Sequence, residues 1–265
     1  MQLFKEIRLI WKYRELLLQL TSREIKSRYK QSVLGYFWVI FNPLAQMLVM
    51  SYAFSTILKV PTNATSNIPY SIFLFTALLP WNLFSNSLSS AASSLISNAG
   101  LLTKIYFPRT ILPLATILAK IVDFAFASTV LIAYLIWFQI PITLNIFWII
   151  PIFLIQQIFT LGLSLILSVS NLLYRDIQYL LTLALTLWIY ITPVFYPADL
   201  IPEKARILFQ FNPMAVIINA YRQVILGGGS PNFISLGVAL LVSITTLQFA
   251  LSYFKTSEKT LADNV

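Results

Sequence analysis

The ionisable residues of this 265-residue chain are few, and their spacing limits the chemistry that they can perform. Lys120 and Asp123 stand three positions apart inside a long apolar stretch, so they share one helix face and can pair. Such a pair at membrane depth indicates either a functional site or an internal ion pair that fixes helix packing, and we favour the packing role. A proton relay is the weaker alternative, because the apolar stretches hold few other acids and no histidine.

The residue types that most catalytic sites need are missing. The chain has no His and no Cys, which removes the usual general base near neutral pH, the commonest metal ligand and thiol chemistry. The glycine-rich segment Gly227–Ser230 lacks the lysine and the following helix of a phosphate-binding loop. The sequence therefore predicts that the chain is not an enzyme and binds no cofactor or metal itself.

A basic segment precedes the first apolar stretch. Arg23, Lys26, Arg28 and Lys30 fall within eight residues, and the chain turns apolar and aromatic at Tyr36. Such cations can stay with the cytoplasmic leaflet, or they can hold anionic lipid headgroups, a pyrophosphate group or the acidic residues of a partner protein. The sequence leaves these roles open.

Aromatic residues make up 15% of the chain, and most are expected to face lipid or to form interfacial belts. Several instead lie beside kinks, polar residues or proline turns: Trp38, Trp81, Trp188, Tyr190 and Tyr196. Aromatic faces stack on the apolar faces of sugars, while Tyr and Trp keep a polar edge. An aromatic-lined polar path of this kind would suit a glycan.

Composition indicates a multi-pass membrane protein that positions these residues. The chain is 58% hydrophobic and 10% charged, whereas soluble domains carry about 25% charged residues. Six apolar spans are predicted, at about 33–58, 70–95, 111–138, 145–172, 178–194 and 231–254. Residues 1–32 are predicted to form cytoplasmic amphipathic helices over 1–20 and 21–30, with Thr21 or Ser22 capping the second, and 255–265 form a cytoplasmic tail.

The segment 195–230 is apolar in patches but carries charges and prolines. A seventh span at 205–226 would place charges and the mid-segment Pro213 in lipid. Two short re-entrant helices on the outer side fit better, since irregular backbone at membrane depth is tolerated where it is buried in protein.

The distribution of positive charge predicts the orientation. Most of the 18 Lys and Arg residues flank the spans on the N-terminal side, which places both termini in the cytoplasm. The net charge of +9 is thus explained by the membrane, and no nucleic-acid partner is expected.

Longer motifs resemble a known family. REIKSRYKQSVLGYFWVIFNPL, LLPWNLFSNSLSSAASSLISNAGLLTKIYFPRTILP, YRDI, ITPVFYPADLIP and FNPM are similar, in order and spacing, to the ABC-2 type permeases that export polysaccharides. The membrane subunits of O-antigen exporters are the most similar, followed by those of teichoic-acid and capsule exporters. The resemblance covers nearly the whole chain.

The resemblance implies an all-α, six-span ABC-2 (type V-like) exporter fold in the bacterial inner membrane. It also implies a homodimer bound to two copies of a separate cytoplasmic ABC ATPase, which uses ATP and Mg. The cargo would be a lipid-linked glycan. Residues 195–230, with their two short helices, would form the periplasmic gate.

The resemblance also assigns residues to roles. Coupling to the ATPase is implied for Arg23, Lys26, Arg28, Tyr29, Leu102, Lys104, Tyr106, Phe107 and Arg109. The translocation path and gate are implied for Tyr36, Trp38, Trp81, Trp188, Tyr190, Tyr196, Asn212 and Pro213.

Other transporter classes stay open at this point. An ion-coupled secondary transporter would show inverted repeats and paired broken helices, and no convincing repeat is present. An ABC-2 exporter of small lipids or drugs is a further alternative, as are teichoic-acid and capsule exporters.

Overall fold

The computed structural model describes residues 2–29, 35, 37–58, 68–202, 204 and 209–261, and within these ranges it contains helices, turns and no strand. The helices are α1 (Gln2–Lys12), α2 (Arg14–Tyr29), α3 (Phe37–Ser51), α4 (Tyr70–Ser97), α5 (Ala99–Leu102), α6 (Ile111–Trp137), α7 (Ile149–Leu173), α8 (Ile177–Ile191), α9 (Pro213–Ile225) and α10 (Phe233–Leu261). A π-helical turn, Tyr52–Ile57, follows α3, and 3-10 turns lie at Leu144–Trp148 and Ala198–Leu200.

Four segments are long and apolar enough to cross a membrane: Phe37–Ile57, Ile111–Trp137, Leu144–Leu173 and Phe233–Ser257. They correspond to four of the six predicted spans. The helix α4 is 28 residues long, but serine and asparagine dilute its apolar residues. The apolar helix α8 has 15 residues, a length of about 22 Å against a hydrocarbon core of about 30 Å.

The helix α4 lies at the centre of the larger hydrophobic core. It packs against α3, α6, α7, α8 and α9, and Phe75, Leu78 and Phe84 are fully buried along it. A second cluster joins α2 and the segment after α5 to α6, α7 and α10 through Leu20, Phe107, Leu165 and others. The two clusters divide the bundle along its length, and the second one holds the side that carries α2.

Small and polar residues bring the helices close together. A Cβ atom added to Gly162 of α7 would lie 3.0 Å from the backbone nitrogen of Leu247 on α10. The buried Gln156 amide donates to the Pro80 carbonyl at 2.8 Å, and the Tyr221 hydroxyl donates to its Oε1 at 3.2 Å. Gln156 thereby connects α4, α7 and α9, as polar residues do between membrane helices.

The N-terminal helices differ from the prediction. The break falls at Tyr13 rather than at residue 20, and Thr21 lies inside α2. The Thr21 hydroxyl donates to the Leu17 carbonyl at 2.8 Å, so it bonds back within a continuing helix. The predicted cap at Thr21 or Ser22 was therefore wrong.

Candidate functional site

A polar cavity of about 530 Å³ lies between α3, α4 and α6. Its wall carries four carboxamides in two pairs, each pair one helical turn apart: Asn42 and Gln46 on α3, Asn82 and Asn86 on α4. The Asn82 Nδ2 donates to Gln46 Oε1 at 3.1 Å. Each carboxamide offers both donors and acceptors, so this wall can bind a ligand rich in hydroxyl groups.

The residues that line the cavity become less exposed from its mouth inward. Asn42 and Asn86 are exposed at its mouth, and Gln46 and Asn82 are partly buried further in. Buried apolar residues complete the wall: Leu79, Leu83 and Ala127. At 1.5 Å per residue, Asn42 lies about 8 Å from the start of α3, so the mouth faces the side of the bundle that carries α2.

An ionic network forms one side of this cavity. The predicted pair is present, with Lys120 Nζ 3.7 Å from Asp123 Oδ2. The same oxygen accepts a shorter bond, 3.0 Å, from Nη1 of Arg28 on α2. Nη2 of Arg28 also contacts Glu24 at 2.8 Å. Two cations and two carboxylates therefore balance, and α2 is tied to the wall of the cavity.

The segment after α5 presents an exposed apolar tip with a buried anchor. Tyr106 is 96% exposed, and Ile105 is also exposed beside Lys104. The neighbouring Phe107 is only 4% exposed and belongs to the second core cluster. Of these predicted coupling residues, Tyr106 and Lys104 are thus available to a partner, whereas Phe107 holds the loop in place.

The remaining predicted coupling residues differ in exposure and in their contacts. Arg23 donates to the side-chain oxygen of Asn98 at the end of α4, and Lys26 is exposed. Leu102 and Arg109 are half-buried at the two ends of the loop. The side chain of Tyr29 lies outside the described residues.

The predicted path residues do not line one surface. Trp81 is 3% exposed, and its ring packs edge-on against Trp188 and tilted against Phe84. It belongs to the core, because the residues around the mid-helix Pro80 face the interior of the bundle. Trp38 lines the mouth of the cavity, and Tyr190 is exposed on α8. Tyr36 lies outside the described residues.

Asn212 organises the start of α9. Its Oδ1 accepts from the backbone nitrogens of Met214 at 3.1 Å and Ala215 at 3.4 Å, while Pro213 occupies the first helical turn. Asn at the cap accepts hydrogen bonds from free N–H groups of the first turn, and Pro directly after it has no N–H that needs a partner. The Asn212 amide donates to Thr192 Oγ1 at 3.1 Å, which joins α9 to the end of α8.

The helix α9 has 13 residues and extends about 20 Å, so it is shorter than the four membrane-length apolar segments. The rejection of a seventh span stays a prediction. Of the two predicted short helices, the first falls on a segment in which 203 and 205–208 lie outside the described residues. The Tyr196 hydroxyl donates to the Tyr190 carbonyl at 2.9 Å. Burial raises the pKa of the Tyr196 phenol, so this group stays a neutral donor.

Arg222 is a residue whose role the sequence did not reveal. It is 7% exposed, and its guanidinium donates to the carbonyls of Pro193 at 2.5 Å, Val194 at 2.6 Å and Tyr196 at 3.3 Å. The guanidinium also stacks 3.6 Å over the Phe73 ring. Arg222 therefore fixes the turn after α8 against α4 and α9. An arginine in an apolar helix after a proline-rich turn was the available signal.

A second contact holds the loop before α10. The Thr143 hydroxyl and the Asn145 amide donate to the Gly228 carbonyl at 3.1 and 2.7 Å. Gly228 has φ +58°, and a Cβ there would lie 3.0 Å from Thr143 Cγ2. The glycine-rich segment thus forms a turn that packs closely against the loop at Thr143 and Asn145.

No group of three or more His, Cys, Asp or Glu side chains that could hold a metal occurs in the part of the chain that the structure describes. The described residues instead form a polar cavity, a partly buried ionic network and an exposed loop.

The bundle, with four membrane-length apolar helices around these features, defines a multi-span membrane protein. Its sequence identifies the family as well. The family model described as ABC-2 type transporter matches residues 15–226, and the chain belongs to this family. The family resemblance seen in the motifs is confirmed.

The relatives cover most or nearly all of the chain. It is 37% identical over 216 residues to the O-antigen export system permease protein RfbA of Klebsiella pneumoniae, covering 81% of each chain. It is 33% identical over 263 residues to the RfbA protein of Myxococcus xanthus, covering 98% of each. The polysialic acid transport protein KpsM of Escherichia coli is 24% identical over 247 residues, covering 90% of this chain and 92% of KpsM.

Proposed function

We propose that this chain is the transmembrane permease subunit of an ATP-driven exporter that moves a lipid-linked, O-antigen-like polysaccharide across the cytoplasmic membrane. The observation that carries the proposal is the near full-length similarity, at 33% identity, to a protein named as an O-antigen export permease. The carboxamide-lined cavity supports it, because a glycan needs hydroxyl-binding groups along its route.

The energy would come from a second protein. The chain has no phosphate-binding loop, so we propose that two copies of a cytoplasmic ABC ATPase hydrolyse ATP with Mg for it. The exposed Ile105 and Tyr106, with Lys104 beside them, form the proposed docking point. Arg28 is engaged with Asp123, which suits it to positioning α2 rather than to docking.

Two copies of the permease would form the path. Side chains on α3 and α8 leave large apolar faces exposed, among them Phe41, Leu48, Leu183 and Leu187. These faces suit lipid or a second copy, and a symmetric dimer supplies the wider ring that a sugar chain needs. We further propose six spans, with α4 and α8 as the additional two, and cytoplasmic termini.

A capsule exporter is the second candidate. The similarity to the polysialic acid transport protein extends over 90% of this chain, at the lower identity of 24%. The higher identity to the O-antigen permeases favours the first candidate.

Depletion of the protein in its native cell tests the proposal. We expect lipid-linked glycan to accumulate at the cytoplasmic leaflet while surface polysaccharide declines, and the plasmid-borne gene to reverse both. Analysis of extracted lipid-linked glycans by mass spectrometry measures the first effect, and the sugars found distinguish O-antigen from capsule. Unchanged surface polysaccharide with no accumulation would remove the proposal.

A further inference from the structure

The cavity between α3, α4 and α6 has the chemistry of a sugar-binding site. We propose that it binds one short stretch of the cargo glycan through its four carboxamides. The inference rests on the proposed function, and it adds the place in this subunit where the sugar is held. The residues that carry it are Asn42, Gln46, Asn82, Asn86 and Trp38.

Helix packing alone does not account for the four carboxamides. Polar side chains that join membrane helices bond to one another, as the partly buried Asn82 and Gln46 do. Asn42 and Asn86 are instead exposed at the mouth, and within the described residues their side chains make no hydrogen bond. Their donors and acceptors are therefore directed to a ligand or to water.

The mixture of groups suits neutral hydroxyls better than phosphate. Carboxamides donate and accept side by side, which matches neighbouring sugar hydroxyls. The Trp38 ring, 40% exposed, stands at the mouth and can stack on a sugar face. Lys120 and Arg28 are balanced by Asp123 and Glu24, so little net positive charge is left for a phosphate.

The size and polarity exclude an acyl chain as the main occupant. The volume of about 530 Å³ falls within the roughly 300–1,000 Å³ of small-ligand sites. Burying several amides against a lipid tail without partners would be unfavourable. A short run of sugar rings fits the space and satisfies the amides.

The absence of cysteine from the chain allows a direct occupancy test. Val39 lines the cavity without contributing an amide, so Val39→Cys places a single thiol there. Ser230 is exposed in the loop before α10, outside the membrane-length segments, and does not line the cavity, so Ser230→Cys is the matched control. The permease is reconstituted with its ATPase in nanodiscs, and labelling by a water-soluble maleimide is followed on this chain's gel band.

The probes are oligosaccharide released from the cell's lipid-linked glycan and polyprenyl phosphate without sugar. At about ten times its Kd, oligosaccharide should slow Val39→Cys labelling about tenfold, because only empty sites react. Polyprenyl phosphate should not slow this labelling, and labelling of Ser230→Cys should be unaffected by either probe. Adding Asn86→Leu should raise the Kd about tenfold through the lost amide bonds, so the same oligosaccharide concentration should slow labelling only about twofold.

Other outcomes overturn the inference. Protection by polyprenyl phosphate alone would assign the cavity to the lipid carrier, and no protection at all would show that the cavity does not bind sugar. If Val39→Cys does not fold or react, Ala127→Cys replaces it, because Ala127 also lines the cavity without contributing an amide. Export that is restored by the gene in depleted cells, with no protection of the thiol, would refute this inference while leaving the proposed function intact.

Discussion

Arg222 shows how one residue can set the shape of the outer segment. Its guanidinium holds three carbonyls of the turn after α8 and stacks on Phe73. Planar, multidentate donation is a property of arginine that lysine lacks. The turn would otherwise contain buried carbonyls without partners.

We expect Arg222→Met to lower the free energy of unfolding by about 2–3 kcal/mol, since hydrogen bonds to a charged donor are lost. The free energy of unfolding of Arg222→Lys should lie between those of Arg222→Met and the native protein. Thermal unfolding of the purified permease measures the order of stability of the native protein and the two variants. Equal midpoints for Lys and Arg would contradict a multidentate role.

Asp123 is the shared acceptor of the ionic network. Asp123→Asn removes the carboxylate that Arg28 and Lys120 share and leaves Arg28 with Glu24, whereas Lys120→Met keeps the shorter Arg28–Asp123 bond. The network is partly exposed, so we expect Asp123→Asn to cost about 1–2 kcal/mol and Lys120→Met clearly less. The thermal midpoints of the two variants decide this, and a larger loss for Lys120→Met would show that the pair within α6 dominates.

Among the structural elements, the loop after α5 has two adjacent residues with different proposed roles. Phe107 anchors the loop in the core, and Tyr106 is exposed for docking of the ATPase. Phe107→Ala removes a buried ring and should lower the free energy of unfolding by about 3–5 kcal/mol. Tyr106→Ala removes an exposed ring and should leave stability unchanged while weakening binding of the ATPase. Thermal unfolding and co-purification with the ATPase measure the two effects. Normal ATPase binding by Tyr106→Ala would remove the docking assignment.

The close contact between α7 and α10 depends on Gly162, which has no side chain. Gly162→Ala places a Cβ against the Leu247 backbone, and overpacking of this kind costs about 1–3 kcal/mol. Gly100 in α5 has open space around its Cα, so Gly100→Ala is the control and should be neutral or slightly stabilising. The difference in thermal midpoint between the two variants measures the effect. Equal midpoints would mean that the helices separate without penalty.

Hydropathy predicts the apolar helices well because it depends on local composition. The predicted spans at 111–138 and 145–172 agree with Ile111–Trp137 and Leu144–Leu173 to within a residue. The family and the Lys120–Asp123 pair were likewise predictable, the first from long motifs and the second from i, i+3 spacing. Each of these signals is contained in neighbouring residues.

What the sequence could not show depends on tertiary packing. Trp81 was expected on a path because it stands beside a proline, yet the fold turns it into the core. Nothing in the spacing links Arg28 to Asp123, which lie 95 residues apart. The carboxamide cavity likewise arises only when α3 and α4 face each other beside α6.

In the whole molecule, three regions of one bundle would act together. The exposed loop at Tyr106 would receive motion from the ATPase, the tie from Arg28 to Asp123 would bring α2 to the cavity, and Arg222 would hold the outer turn. The exposed apolar faces of α3 and α8 are where a second copy would complete the path.

Transport by purified components provides the decisive test of the proposed export function. The permease and its ATPase are reconstituted in vesicles with lipid-linked glycan in the leaflet that faces the ATP-binding domains. Access of a sugar-specific lectin to the opposite leaflet is then followed over time. We expect lectin binding to rise only with ATP, and only when both proteins are present. Glycan that stays inaccessible with ATP, or crosses equally well without ATP or without the permease, would contradict it.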